Sequence, residues 1–199
     1  DQGLKESPAD SAVILIGDTD FIQDQVAVTE AMNPFGGQRM VMPQNEFNSA
    51  QVFPSCCWSA EGLARFIGLL GPEMAKRGVA VFLGTMERAN EKLVDVSLQD
   101  PKVALHVKGV GFQWAGKGAI AAIHRRYPDL PLYQTEQECG DGKNDWRYCR
   151  YAWTLMKHYL RSGASAYLYW NISLTKGGVS RWGWAQNSLV TVDAEARTF

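Results

Sequence analysis

Pro131-Leu132-Tyr133-Gln134-Thr135-Glu136 is a short apolar run that ends in polar, chemically capable residues. Residues 39–43, 79–84, 109–114 and 166–171 have the same form, each short enough for a strand. Between these runs the apolar residues fall at helical spacing. Ser59 is placed to cap a helix in which Leu63, Phe66, Ile67 and Leu70 make an i, i+3, i+4, i+7 stripe. Asp100-Pro101 is a cap followed by proline at the first helical position. Ala119, Ile120 and Ile123 share one face of a short helix that stops near Tyr127-Pro128. Asn144 reads as the start of the last long helix, which closes at Ser162-Gly163. Strands alternating with helices imply parallel pairing through right-handed crossovers, hence an α/β fold.

The polar residues follow a rule. Run after run ends in a reactive cluster: Gln44-Asn45-Glu46, Glu87-Arg88, Gln113-Trp114, Thr135-Glu136 and Trp170-Asn171. Functional groups at the C-terminal ends of parallel strands are the layout of a (β/α)8 barrel site. An open doubly wound sheet does the same at its switch point. However, no Gly-x-Gly-x-x-Gly or phosphate loop follows any strand here, which weakens the nucleotide reading.

The bulk numbers narrow the field. The chain has 199 residues, 46% of them hydrophobic, enough for one sizeable core. A net charge of −1 and a pI near 6.3 argue against nucleic acid or an anionic membrane as partner. Seven tryptophans, concentrated in the second half, suit stacking on sugar rings, although buried core is the commoner use of a tryptophan. No apolar run is long enough to span a bilayer, and no basic-then-apolar leader opens the sequence. Cys56, Cys57, Cys139 and Cys149 form no metal pattern and read as free thiols; no metal or organic cofactor is expected. His106, His124 and His158 fall on helical stretches and read as structural.

Glu46 and Glu136, each just past an apolar run, match the needs of glycoside cleavage. That reaction passes through an oxocarbenium-like state. One protonated carboxyl assists the leaving oxygen, and one carboxylate attacks the anomeric carbon. A single strand-end glutamate is more often a solvated or ion-paired surface residue; two in matching positions favour the chemical role. Asn45 stands where it can donate to a sugar 2-hydroxyl. Glu87 and Arg88 either pair with each other or support the pocket, a simple salt bridge being the commoner role.

Met42-Pro43-Gln44-Asn45-Glu46-Phe47-Asn48 resembles the acid/base strand, the fourth barrel strand, of glycoside hydrolase family 30, the glucosylceramidase-like family. Leu132-Tyr133-Gln134-Thr135-Glu136-Gln137-Glu138-Cys139-Gly140 resembles its nucleophile strand, the seventh. Gly109-Val110-Gly111-Phe112-Gln113-Trp114 is similar to the sixth strand and Tyr169-Trp170-Asn171 to the eighth; residues 177–190 resemble the exit from the barrel. The resemblance implies a retaining β-glycosidase acting on β-linked glucosides, β-glucans, fucosides or xylans. It makes Glu46 the acid/base and Glu136 the nucleophile, with Asn45, Gln113, Trp114, Trp170 and Asn171 lining the sugar subsite. In an extended strand Glu138 points to the same side as Glu136, so the choice between them rests on the resemblance. A carbohydrate or glycolipid substrate and an extracellular or periplasmic setting are implied in the same way.

The resemblance covers residues 41–199 and only strands four to eight, whereas a whole barrel needs eight strands and about 250 residues. The expectation is therefore a partial (β/α)8 TIM-type barrel with closure open, and with residues 189–192 as the beginning of the family's β-sandwich. Residues 1–40 form a separate N-terminal segment with one strand at 12–16. Ala12-Val13-Ile14-Leu15-Ile16-Gly17-Asp18-Thr19-Asp20 resembles the auxiliary extracytoplasmic proteins of gliding-motility-type ABC transporters. Three functions stand in order: a two-carboxylate hydrolase, an inactive remnant with weak sugar binding, and a transporter-associated interaction module.

Overall fold

A computed structural model describes residues 39–50, 57–179 and 183–198. The expected strand at 12–16 and Cys56 lie outside the described residues. Five strands, β1 (Arg39–Val41), β2 (Val79–Met86), β3 (Val107–Gln113), β4 (Leu132–Glu136) and β5 (Ala164–Tyr167), make one parallel sheet in chain order. The sheet curls into a half-barrel and is not closed among the described residues. The helices α1 (Ala60–Lys76), α2 (Lys92–Gln99), α3 (Pro101–Ala104), α4 (Ile120–Arg126) and α5 (Trp146–Arg161) occupy the connections between successive strands. Beyond β5, the short strands β6 (Ser173–Thr175) and β7 (Val190–Val192) pair in parallel.

Side chains alternate across the sheet, and the alternation decides what each face buries. Val81, Leu83, Val110, Phe112 and Leu132 join Leu63 and Ile67 of α1, Leu93 and Val94 of α2, and Ile120 and Ile123 of α4 in one core. Each such side chain contributes about 1.5–3 kcal/mol on leaving water. On the opposite face Phe82 packs against Tyr133, ring centroids 4.9 Å apart, across β3. β3 allows this because a Cβ at Gly109 would sit 2.0 Å from the Phe82 ring.

Two expected caps hold. Ser59 Oγ accepts from the Gly62 N–H at 3.0 Å, and Asp100 Oδ1 from the Lys102 N–H at 2.9 Å ahead of Pro101. The start of α5 is corrected by one residue. Asp145, not Asn144, is the cap, its Oδ1 accepting from the Tyr148 N–H at 2.8 Å. Asn144 (φ 49°) instead ties the loop to the C-terminal segment, accepting from the Ser188 N–H at 3.0 Å and donating to Thr191 Oγ1 at 3.1 Å. β5 is earlier and shorter than expected, which leaves Trp170 and Asn171 on the loop beyond it. His106 lies in the turn between α3 and β3 rather than in a helix.

Candidate active site

Parallel strands in register deliver their ends to one side of the sheet, and the reactive clusters follow those ends. Past β1 the chain continues alongside β2. Thr85 N–H donates to the Gln44 carbonyl at 2.6 Å, and Phe47 N–H donates to the Thr85 carbonyl at 3.1 Å. Between them Glu46 turns into the left-handed region (φ 48°), and its N–H is taken by Thr85 Oγ1 at 2.8 Å. The same hydroxyl donates to Asn45 Oδ1 at 3.0 Å. Thr85 thus satisfies both a strained backbone and a side chain of the site. The carboxyl of Glu46 is buried; Asn45 is exposed at the rim.

Glu136 ends β4 and is also buried. Its Oε1 accepts from the Trp114 indole N–H at 2.9 Å, and its Oε2 from Gln113 Nε2 at 3.4 Å. Gln113 Nε2 donates as well to Asn45 Oδ1 at 2.6 Å, so a single amide joins the β1 exit to the β4 exit. Burial pushes the Glu136 carboxyl up to about 7; the Trp114 hydrogen bond opposes this, while the charges of Glu46 and Glu87 add to it. Both of those carboxylates, each past another strand end, thus lie within electrostatic reach of Glu136.

Trp114 begins a 3-10 helix, Trp114–Gly118, with φ 42°. A non-glycine residue there costs about 1–3 kcal/mol and persists only when its surroundings hold it. Gly116 lets the helix lie on the end of β2, since a Cβ there would be 2.0 Å from the Met86 carbonyl oxygen. Trp170 meets Trp114 edge to face, centroids 6.3 Å apart, giving the site an aromatic wall. Asn171 donates to Gln186 Oε1 at 3.4 Å, and its carbonyl accepts from the Leu189 N–H at 3.2 Å. Both of these bonds run to the C-terminal segment.

Thr85, Asn48 and Lys117 were given no role by the sequence. Thr85 lies inside an apolar run and carries no signal of its own. Glu87 was expected to pair with Arg88 or to support the pocket: the bond to Arg88 exists at 2.8 Å, with the carboxylate end buried and the arginine end mostly exposed. Asn48 Oδ1 holds the N–H groups of Glu87 at 2.9 Å and Arg88 at 3.1 Å, fixing where that carboxylate emerges. Lys117 and Glu138 form an ion pair beside the site, so the two glutamates of Glu136-Gln137-Glu138 have different partners. Cys57 and Cys149 are exposed free thiols; Cys139 is buried, which pushes its thiol up to about 11. No cluster among the described residues is suited to hold a metal ion.

The fold is a partial TIM-type barrel, similar to part of several solved structures. SrfJ from Salmonella typhimurium superimposes with a TM-score of 0.67 at 22% identity, covering 80% of this chain and 38% of that one. The endo-β1,6-glucanase BT3312 gives 0.66 at 19% identity, covering 78% and 38%. The glycoside hydrolase family 30 subfamily 8 xylanase Xyn30A from Clostridium acetobutylicum gives 0.60 at 21%, covering 80% and 38%. The chain thus spans well under half the length of these solved relatives. No protein-family model matches the sequence, and no curated protein does. No helix of the described residues is long and apolar enough to cross a membrane.

Proposed function

We propose that this chain carries the carboxylate pair of a retaining β-glycoside hydrolase acting on β-linked glucosides or β-glucans. The observation that carries the reading is the Asn45–Gln113–Glu136 relay, which ties the two glutamate-bearing strand ends together over buried carboxyls. In this mechanism a Glu136 oxygen attacks the anomeric carbon as the bond to the leaving oxygen breaks, and Glu46 gives that oxygen its proton. Water then cleaves the glycosyl ester, its proton returning to Glu46 and the Glu136 carboxylate being released. Asn45 and Gln113 bind hydroxyls, and Trp114 with Trp170 stacks on the sugar face. Asn171 completes the subsite from the β5 loop.

The nucleophile must be charged, and burial holds Glu136 near 7. Turnover on the acidic side therefore rises with pH through about 7. A carbohydrate or glycolipid substrate and an extracellular or periplasmic place of action belong to the same proposal. The test is a 2-deoxy-2-fluoro glycoside with a good leaving group, followed by peptide mass spectrometry. Label on Glu136 and loss of turnover in Glu136→Gln are expected. Label on Glu46 alone would reverse the roles, and substantial activity in Glu136→Gln would sink the reading.

A second reading has its own observation: among the described residues β1 and β5 each pair on one side only. In this reading the described half-barrel binds sugar weakly without cleaving it. Saturable binding by calorimetry with no released product, under conditions where Glu46 and Glu136 are intact, would favour this alternative.

A further inference from the structure

We infer that Lys117, through its ion pair with Glu138, is a positioning residue that holds the Trp114 indole on Glu136. The inference rests on the reading of Glu136 as a catalytic carboxylate. Lys117 Nζ donates to the Trp114 carbonyl at 2.9 Å and pairs with the Glu138 carboxylate. One ammonium thereby joins the turn carrying the donor, Trp114, to the segment carrying the acceptor, since Glu138 is two residues past Glu136. Both side chains are largely buried, at 28% and 16% exposure, so the pair is far less screened than a surface salt bridge.

The clasp is itself anchored on α5. Tyr151 Oη donates to Glu138 Oε1 at 3.3 Å, and Tyr148 Oη donates to the Glu138 carbonyl. His158 Nε2 lies 3.0 Å from the Lys117 carbonyl oxygen. Three α5 side chains therefore fix two residues that otherwise have no role in the site. The left-handed backbone of Trp114 needs such a restraint, and Lys117 is the side chain that reaches its carbonyl. Glu136 also faces the charges of Glu46 and Glu87 and the Cys139 thiol. Removal of the Trp114 donor leaves burial and those like charges unopposed, which favours the protonated form.

The test uses indole ¹H–¹⁵N spectra of the whole chain, with the Trp114 signal assigned by its disappearance in Trp114→Phe. The Trp114 signal should titrate with a midpoint near 7 and stop titrating in Glu136→Gln. In Lys117→Met it should lose its hydrogen-bonded shift, and in Lys117→Arg regain it. Where turnover is measurable, Lys117→Met should move the acidic limb of kcat up by about one pH unit, about tenfold in rate below neutrality, with KM little changed. Should Lys117→Met fail to fold with Glu138 left unpaired, the double variant Lys117→Met/Glu138→Gln removes both charges and is expected to show the same loss. An unchanged Trp114 signal in either variant overturns the inference, as does a Trp114 signal that ignores Glu136 in the unmodified protein. Absence of turnover with the expected spectra would remove the hydrolase reading and leave the clasp standing.

Discussion

The two strand ends that bear Glu46 and Glu136 are held by different means. At the β1 exit the main chain does the work: the Glu46 N–H is fixed by Thr85 Oγ1, and its neighbours are laced to the backbone of β2. At the β4 exit side chains do it: Trp114 and Gln113 grip the carboxylate itself, with Lys117 and Glu138 behind. The first arrangement aims Glu46 through its backbone. The second places donors on the carboxylate, which favours its charged form and orients its oxygens. These are the different needs of an acid/base and a nucleophile.

The comparison can be broken at several points. Glu136→Gln has the largest expected effect, a loss of about 10⁴-fold in turnover. It carries a stability signature of its own. The folded pKa of Glu136 is about 7, above its ordinary value of 4.5, so the folded state binds the extra proton between those values. Stability from this group is present at low pH and falls as pH rises through that window, by on the order of 3 kcal/mol. Glu136→Gln should therefore raise Tm at pH 8 and leave it nearly unchanged at pH 4. A uniform fall in Tm would show that the carboxylate is a structural hydrogen-bond partner instead.

Glu46→Gln comes next, with a loss of about 10²–10⁴-fold on substrates whose leaving oxygen needs protonation. The loss should shrink on aryl glycosides with acidic phenols, because those depart without a proton. Equal losses on both substrates would remove the acid/base role and with it the contrast between the two ends. Thr85→Val sharpens the same contrast at smaller scale. It leaves the buried Glu46 N–H without its acceptor and should cost about 1–3 kcal/mol in urea unfolding. The shift of Trp114 on Glu136 should survive it, since the indole bonds Glu136 directly and Lys117 holds the Trp114 carbonyl. The smallest effect is expected at the start of α5: Asp145→Ala removes the cap for about 1 kcal/mol, with the pH profile unmoved.

Legibility followed the range of the interactions. Ser59 and the Asp100-Pro101 pair were readable because a cap bonds N–H groups only two or three residues away. The α5 boundary was misplaced by one residue because Asn144 and Asp145 are equally good caps locally. Contacts to Ser188 and Thr191, more than forty residues on, draw Asn144 away. Likewise Glu136 and Glu138 are indistinguishable in a strand of period two, and the ion pair with Lys117 separates them. Whether Glu87 pairs with Arg88 or supports the pocket was open because the bonds that hold its backbone come from Asn48, 39 residues earlier in a different connection.

By itself the sequence determined the alternation of strand and helix, the order of the strands and the placement of reactive residues at their ends. These follow from hydrophobic period and local capping, which act over a few residues. Only the tertiary structure decided which of those residues meet: Gln113 between Asn45 and Glu136, Thr85 under Glu46, Lys117 between Trp114 and Glu138. Parallel pairing brings together groups twenty to seventy residues apart, and burial, which sets the charge of Glu136, exists only once the core has formed.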